Sequence, residues 1–221
     1  MSAEGGSAAA RAAAIRAEAR KGLWRRIQAW LGIGTAIRRA DAKAAKWERG
    51  AQGEKATARL LAPLGGRGWY LRHDLGMPNS WANMDHVLVA PSGAVIVLET
   101  KAWGRSRPTQ LVGGRVHWGT EDRHAQMEAV GRYAAKVAAL LGLPADQVRP
   151  LVVVHGSPVN GGSLTVEVPA WPGPLYILSA DSLVPTLGNA GQRTTADPAR
   201  ARAVAARIDC LFLPYMDCGH N

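Results

Sequence analysis

The chain has 221 residues, 47% of them apolar, and a formal charge of +10, so it can bury a real core as one domain with appendages or as two small domains. No run of eighteen apolar residues occurs and the first twenty lack the apolar centre of a signal peptide, which argues against a spanning helix and a leader. Two cysteines make no disulfide framework, and a cytoplasmic location is the expectation.

The charge is uneven. Residues 1–50 carry eleven Lys and Arg against four acids, a net +7, which leaves +3 for the rest. Such an arm suits an anionic partner, a nucleic-acid backbone or an acidic membrane surface. Residues 8–21 are rich in Ala and Arg, helix-prone, with little that could pack. In "LWRRIQAWLGIG", Leu23, Trp24, Ile27, Trp30 and Leu31 recur at helical spacing. That face fits docking on the domain or a protein partner, a membrane surface, or nucleic acid. A longer helix is predicted over 36–62, stopping before Pro63.

Strands then dominate. The pattern predicts strands over 69–75, 83–90 and 94–103, with "PSG" (91–93) as the turn between the last two, and a hairpin over 109–118 bent at two glycines. An amphipathic helix follows over 121–142. "PLVVVHG" (150–156) reads as a strand covered on both faces. Shorter strands near 164–168 and 175–178 and helices near 180–187 and 196–209 complete the chain. The order predicts an α/β fold, helices packed on a mixed sheet. Cys210, Cys218 and His220 lack a paired C-x-x-C spacing and are read as a buried thiol and a tail, not a zinc site.

The chemistry is concentrated in "NMDHVLVAPSGAVIVLETKAWG" (83–104). An apolar strand ends in Glu99-Thr100-Lys101. Alternation puts Glu99 and Lys101 on one face. A turn centred on Ser92 sets Asp85 opposite Glu99, with Cβ atoms about 5 Å apart; a slip of one residue would send one acid to the other face. Two such acids repel unless a cation lies between them. Carboxylate oxygens suit Mg²⁺ or Mn²⁺, and Lys101 would then stand beside the attacking water, to orient it or to take its proton. The pattern fits a phosphodiester-hydrolysing centre; E-x-K by itself is common on solvated strands.

"GEKATARLLAPL" (53–64), the segment 83–104 and "HAQMEAVGRYAAKVAALL" (124–141) together resemble the nuclease-related domain, the NERD family, placed among the PD-(D/E)XK nucleases. The likeness spans roughly residues 48 to 155. It rests on Gly53-Glu54, Asp85-His86, Glu99, Lys101 and Trp103, and Gln126. This chain departs from the family in having Ala102 where Asn often follows the Lys, and Arg123-His124 where Asn-Pro often precedes the Gln. The resemblance implies a restriction-endonuclease-like mixed β-sheet flanked by helices in a nuclease domain (48–221; core 48–155, C-terminal elements 156–221), and the charge split sets a basic helical N-terminal arm (1–47) before it. It implies Mg²⁺- or Mn²⁺-dependent hydrolysis of DNA. Asp85 and Glu99, with the Thr100 carbonyl, would hold the ion; Glu54 would assist; Lys101 would activate water; Gln126 would position phosphate. Nucleic acid is the expected partner and no small-molecule substrate is expected. The alternative is a non-catalytic module of the same fold that binds nucleic acid or a protein partner, with residues 23–31 on a membrane surface compatible with either.

Overall fold

The computed structural model describes residues 10, 11, 13–15, 35–80 and 82–215. The expectations for residues 23–31 and for Cys218 and His220 lie outside these. Helix α1 (Thr35–Gly65) leads to strands β1 (Tyr70–Gly76), β2 (Asn83–Val89) and β3 (Val95–Trp103). A small unit follows: β4 (Thr109–Val112), β5 (Arg115–Trp118) and β6 (Glu121–Asp122). Then come α2 (His124–Leu141), β7 (Val148–Gly156), β8 (Ser163–Val168), β9 (Trp171–Ser179), α3 (Ala180–Arg193) and α4 (Pro198–Leu211).

Six strands form one mixed sheet in the order β1-β2-β3-β7-β9-β8. β1, β2 and β3 are antiparallel, β7 runs parallel to β3 and β9 parallel to β7, and β8 closes the edge antiparallel to β9. Central strands buried on both sides need apolar residues at consecutive positions. Val152, Val153 and Val154 of β7 are all buried. Alternation then divides the core. Val87, Val97, Val152 and Val154 meet Met127, Val130 and Val137 of α2 and Val204 and Ile208 of α4. Leu88, Ile96, Leu98 and Val153 meet Leu61 and Leu64 of α1 and Leu183 and Leu187 of α3. This is the helix-flanked mixed sheet expected of a restriction-endonuclease-like fold.

Three local expectations are corrected. Helix α1 runs through Pro63. A proline there removes one backbone donor in the final turn, and the fully buried Leu61 and Leu64 hold that turn on the sheet. Residues 121–122 are strand, not helix: the Arg123 N–H still donates to the Val116 carbonyl at 2.8 Å, and α2 starts only at His124. Cys210 is exposed, because Ala201, Val204, Ala205 and Ile208 form the inward face of α4. The helix α1 is continuous across residues 47 and 48, so residues 35–47 form one helix with the start of the domain. Among the described residues, no helix is long and apolar enough to cross a membrane.

Candidate active site

The ladder between β2 and β3 pairs Val87 with Val97 and His86 with Leu98. The ladder has the register that the turn at Ser92 predicts and ends at His86 and Leu98; carried one step further, the same register would set Asp85 opposite Glu99. Asp85 shares its face with Val87 and Glu99 with Val97, so both acids and Lys101 project on the α2 side of the sheet. Thr100, between them, projects on the α1 side, where its methyl group packs on Gly53.

The Asp85 carboxylate is buried and accepts the Thr100 N–H on Oδ2 at 2.7 Å. Burial, with Glu99 and Glu54 nearby, pushes it well above the usual carboxylate range; Lys101 and the Thr100 N–H offset only part of this. Lys101 Nζ donates to Glu99 Oε1 at 2.6 Å. Burial alone would lower the Lys101 ammonium, yet Glu99 and Asp85 outweigh it and hold the group above its usual range. Proton removal by Lys101 needs the opposite shift. In this arrangement Lys101 is a fixed positive charge that can orient water and offset charge on a phosphate.

Glu54 comes from the other element. Helix α1 lies close on β3 because residue 53 has no side chain: a Cβ there would come 3.2 Å from Thr100 Cγ2 and 3.3 Å from Ala102 Cβ. The glycine therefore brings Glu54 into the field of Glu99 and Lys101. Burial, then Asp74 and Glu99, push Glu54 up to about 7, while Lys101 and Arg11 pull it down. Gln126 sits in the first turn of α2, half-buried, with no side-chain hydrogen bond to the described residues. The structure thus brings Glu54, Asp85, Glu99 and Lys101 into one electrostatic group and leaves Gln126 as a separate amide on α2. A Gly53→Val substitution is expected to lift α1 from β3 and destabilise the fold by about 1–3 kcal/mol; a thermal melt that matches wild type would sever the link between Gly53 and the placement of Glu54.

Several residues near this group carry no signal that the sequence reading used. Asp74 is buried and stands at the ladder position opposite Asp85, where φ is 51° and the pairing of β1 with β2 is interrupted. Its Oδ1 accepts from Asn83 Nδ2 at 2.9 Å. The mirrored dipeptides His73-Asp74 and Asp85-His86 on antiparallel strands were the available clue. Tyr133 lies two turns after Gln126 on α2; burial and then Glu99 push its hydroxyl up, placing it at the same site. Arg11 does pack, in a segment where little was expected to. Its guanidinium lies 5.1 Å from the Trp47 ring centre and 5.3 Å from that of Tyr215, and it donates to the Tyr215 hydroxyl.

Behind the acids, on the α1 side, runs a polar chain. His73 Nδ1 and His86 Nδ1 are 2.7 Å apart, His86 Nε2 is 3.2 Å from Thr100 Oγ1, Thr100 Oγ1 donates to Thr57 Oγ1 at 3.0 Å, and Thr57 Oγ1 is 2.8 Å from His155 Nε2. One assignment satisfies every contact: each group from His73 onward donates to the next, with the rings neutral. Burial drives His86 well down, with help from His73 and His155, and drives His155 down against the pull of Asp181. The chain ties β1, β2, β3, α1 and β7 together at the residue between Glu99 and Lys101.

Among the described residues, no group of three or more His, Cys, Asp or Glu side chains is drawn close enough to hold a metal ion by itself. The donor set nevertheless suits a hard divalent cation: carboxylate oxygens with excess negative charge and a neighbouring backbone carbonyl. Mg²⁺ needs only one or two protein carboxylates and fills its remaining positions with water.

No curated protein and no solved structure matches the chain. Residues 49–155 match the nuclease-related domain. That span begins before Gly53-Glu54 on α1, takes in all the acids and Lys101, and ends at His155 of the polar chain, so the part of the chain that carries these residues is similar to the nuclease-related domain (NERD) family.

Proposed function

We propose that the chain is a nuclease that hydrolyses DNA phosphodiester bonds with Mg²⁺ or Mn²⁺ as its ion. The observation that carries this reading is the convergence of Asp85, Glu99 and Lys101 on one sheet face with Glu54 brought in from α1. A bound ion supplies Lewis-acid polarisation of a phosphoryl oxygen and a more acidic attacking water. Asp85 and Glu99, with the Thr100 carbonyl, would hold it. The Thr100 N–H fixes Asp85 Oδ2 and leaves Oδ1 available. Lys101 orients water and offsets charge on the phosphate. Glu54, near half-ionised at neutral pH, can hold or release a proton at the same place. Gln126 offers its amide to a phosphate oxygen. The arm, residues 1–47, would add sequence-independent affinity for DNA through counterion release, in a protein placed in the cytoplasm.

The test is cleavage of supercoiled plasmid, linear duplex, single-stranded DNA and RNA by the purified protein with Mg²⁺, Mn²⁺ or EDTA. Ion-dependent nicking that disappears in Asp85→Ala is the expected result. The rival reading is a non-catalytic binding module. It draws on the ion pair that already occupies Glu99, and it takes over if no substrate is cut with either ion.

A further inference from the structure

Between Lys101 and α2 the chain leaves the main sheet to build a second one, β4-β5-β6. Its β4–β5 turn is Gly113-Gly114, with φ of 56° and 77°, the paired positive values of a tight two-residue hairpin. A Cβ at either glycine would meet nothing within 4 Å, so the tip stands in open space. Leu111 and Val112, the last two residues of β4, are 39% and 48% exposed. They point to opposite faces of the ribbon, which makes the tip apolar on both sides.

The base of the hairpin is stiff and basic. Trp118 Nε1 donates to the Gly104 carbonyl at 3.0 Å, three residues past Lys101. The guanidinium groups of Arg107 and Arg123 lie 4.9 and 5.4 Å from the Trp118 ring centre. Both are also paired with Glu121, and Arg115 is paired with Asp122 at 2.7 Å. Arg105 is exposed and makes no ion pair with any described residue. Residues 104–123 hold four arginines against two acids.

We propose that this hairpin is a DNA-engaging wedge: Leu111 and Val112 enter a base step of duplex DNA while Arg105, Arg107 and Arg115 meet the flanking phosphates. For its substrate the proposal rests on the nuclease reading of the acids. Three features select this occupant. The apolar surface is only two side chains wide, with Arg115 beside it at the tip and Arg105 and Arg107 at the hairpin base, which suits a base step between phosphates better than the broad apolar face of a protein partner. Apolar side chains inserted beside arginines are a recurring way to open a duplex. The hairpin also leaves β3 at the end that carries Glu99 and Lys101. Val112 is at most about 36 Å of extended chain past Lys101, which is within the length of a short duplex lying on the acids. An opened step would loosen the strand that crosses the acids.

The test uses the full chain and a short duplex with 2-aminopurine at successive positions, in EDTA so that nothing is cut. Wild type should bind and raise the fluorescence several-fold at one or two adjacent positions, as a base there loses its stacking. A Leu111→Thr/Val112→Thr variant places strand-favouring β-branched side chains at both positions of an exposed ribbon and so keeps the fold. It should bind the duplex about tenfold more weakly, give no fluorescence rise, and bind single-stranded DNA like wild type. Wild-type binding without a rise, a rise that survives in the variant, or no binding of duplex by wild type overturns the wedge. Because the fluorescence is read without cleavage, a protein that unstacks DNA but never cuts it with either ion would instead overturn the nuclease reading alone.

Discussion

Calorimetric titration of Mn²⁺ into Lys101→Ala should show binding a few-fold to about tenfold tighter than wild type, while plasmid nicking by the same protein falls by about 10²–10³-fold. The two effects part because Lys101 plays opposite parts toward the ion and the substrate. Its ammonium holds Glu99 Oε1 at 2.6 Å, a position from which it repels a divalent cation and occupies one of its donors. Unit charges about 4 Å apart at an effective dielectric of 20 interact by ~4 kcal/mol, and hydration of a half-open site reduces that several-fold. Removing the ammonium frees the oxygen. The reaction meanwhile loses the one positive side chain that Glu99 and Asp85 keep protonated beside the acids. Glu99→Ala should behave differently, losing ion binding and nicking together, since a ligand has gone. Equal nicking by wild type, Lys101→Ala and Glu99→Ala, or loss of Mn²⁺ binding in Lys101→Ala, would remove these residues from the chemistry.

What the sequence made legible follows from locality. The register of β2 on β3 could be read because a short turn at Pro91-Ser92-Gly93 joins two strands of clear alternation, and the observed pairing of His86 with Leu98 has that register. Glu54 was not legible from spacing. It depends on how closely α1 approaches β3, and only the family resemblance pointed to it before the contact of Gly53 with Thr100 and Ala102 explained it. Asp74 was hidden by its backbone: a left-handed φ on a non-glycine residue breaks the alternation on which strand reading relies. The histidines were hidden by distance in the chain. His73, His86 and His155 look dispersed in sequence, and only the sheet order places them on one polar chain through Thr100 and Thr57. Arg11 was misread for a related reason, since its partners Trp47 and Tyr215 belong to segments far apart in the sequence.

Without a divalent cation, the protein should lose stability as the pH rises from about 6.5 through the folded Glu54 value of about 7, and Asp85→Asn should be the more stable protein at pH 8 by about 1–4 kcal/mol. The sign follows from the protons each state binds. Glu54 is raised from 4.5 to about 7 in the fold and Asp85 well above 3.8. Below their ordinary values both states are protonated and the contribution is fully present. Above them the unfolded chain ionises while the fold retains its protons, so stability drains away until the folded groups ionise too. His86 and His155 act the other way, because their lowered values cost stability when the unfolded rings protonate below about 6.5. Those losses mask the carboxylates in acid but are spent by neutral pH, which leaves the window above 6.5 to the acids. The amide of Asp85→Asn still accepts the Thr100 N–H but carries no charge, so the variant should follow only the Glu54 part of the decline, which ends near pH 7. A cation should reverse the order. At about one hundred times its Kd it adds ~2.7 kcal/mol to wild type, or about 5–10 °C in a domain of this size, and little to Asp85→Asn. Thermal melts at pH 6.5 and 8, in EDTA and in Mn²⁺, make the comparison. Wild-type stability that is flat with pH in EDTA and unmoved by Mn²⁺ would mean that Asp85 and Glu54 do not form a cation-seeking pair.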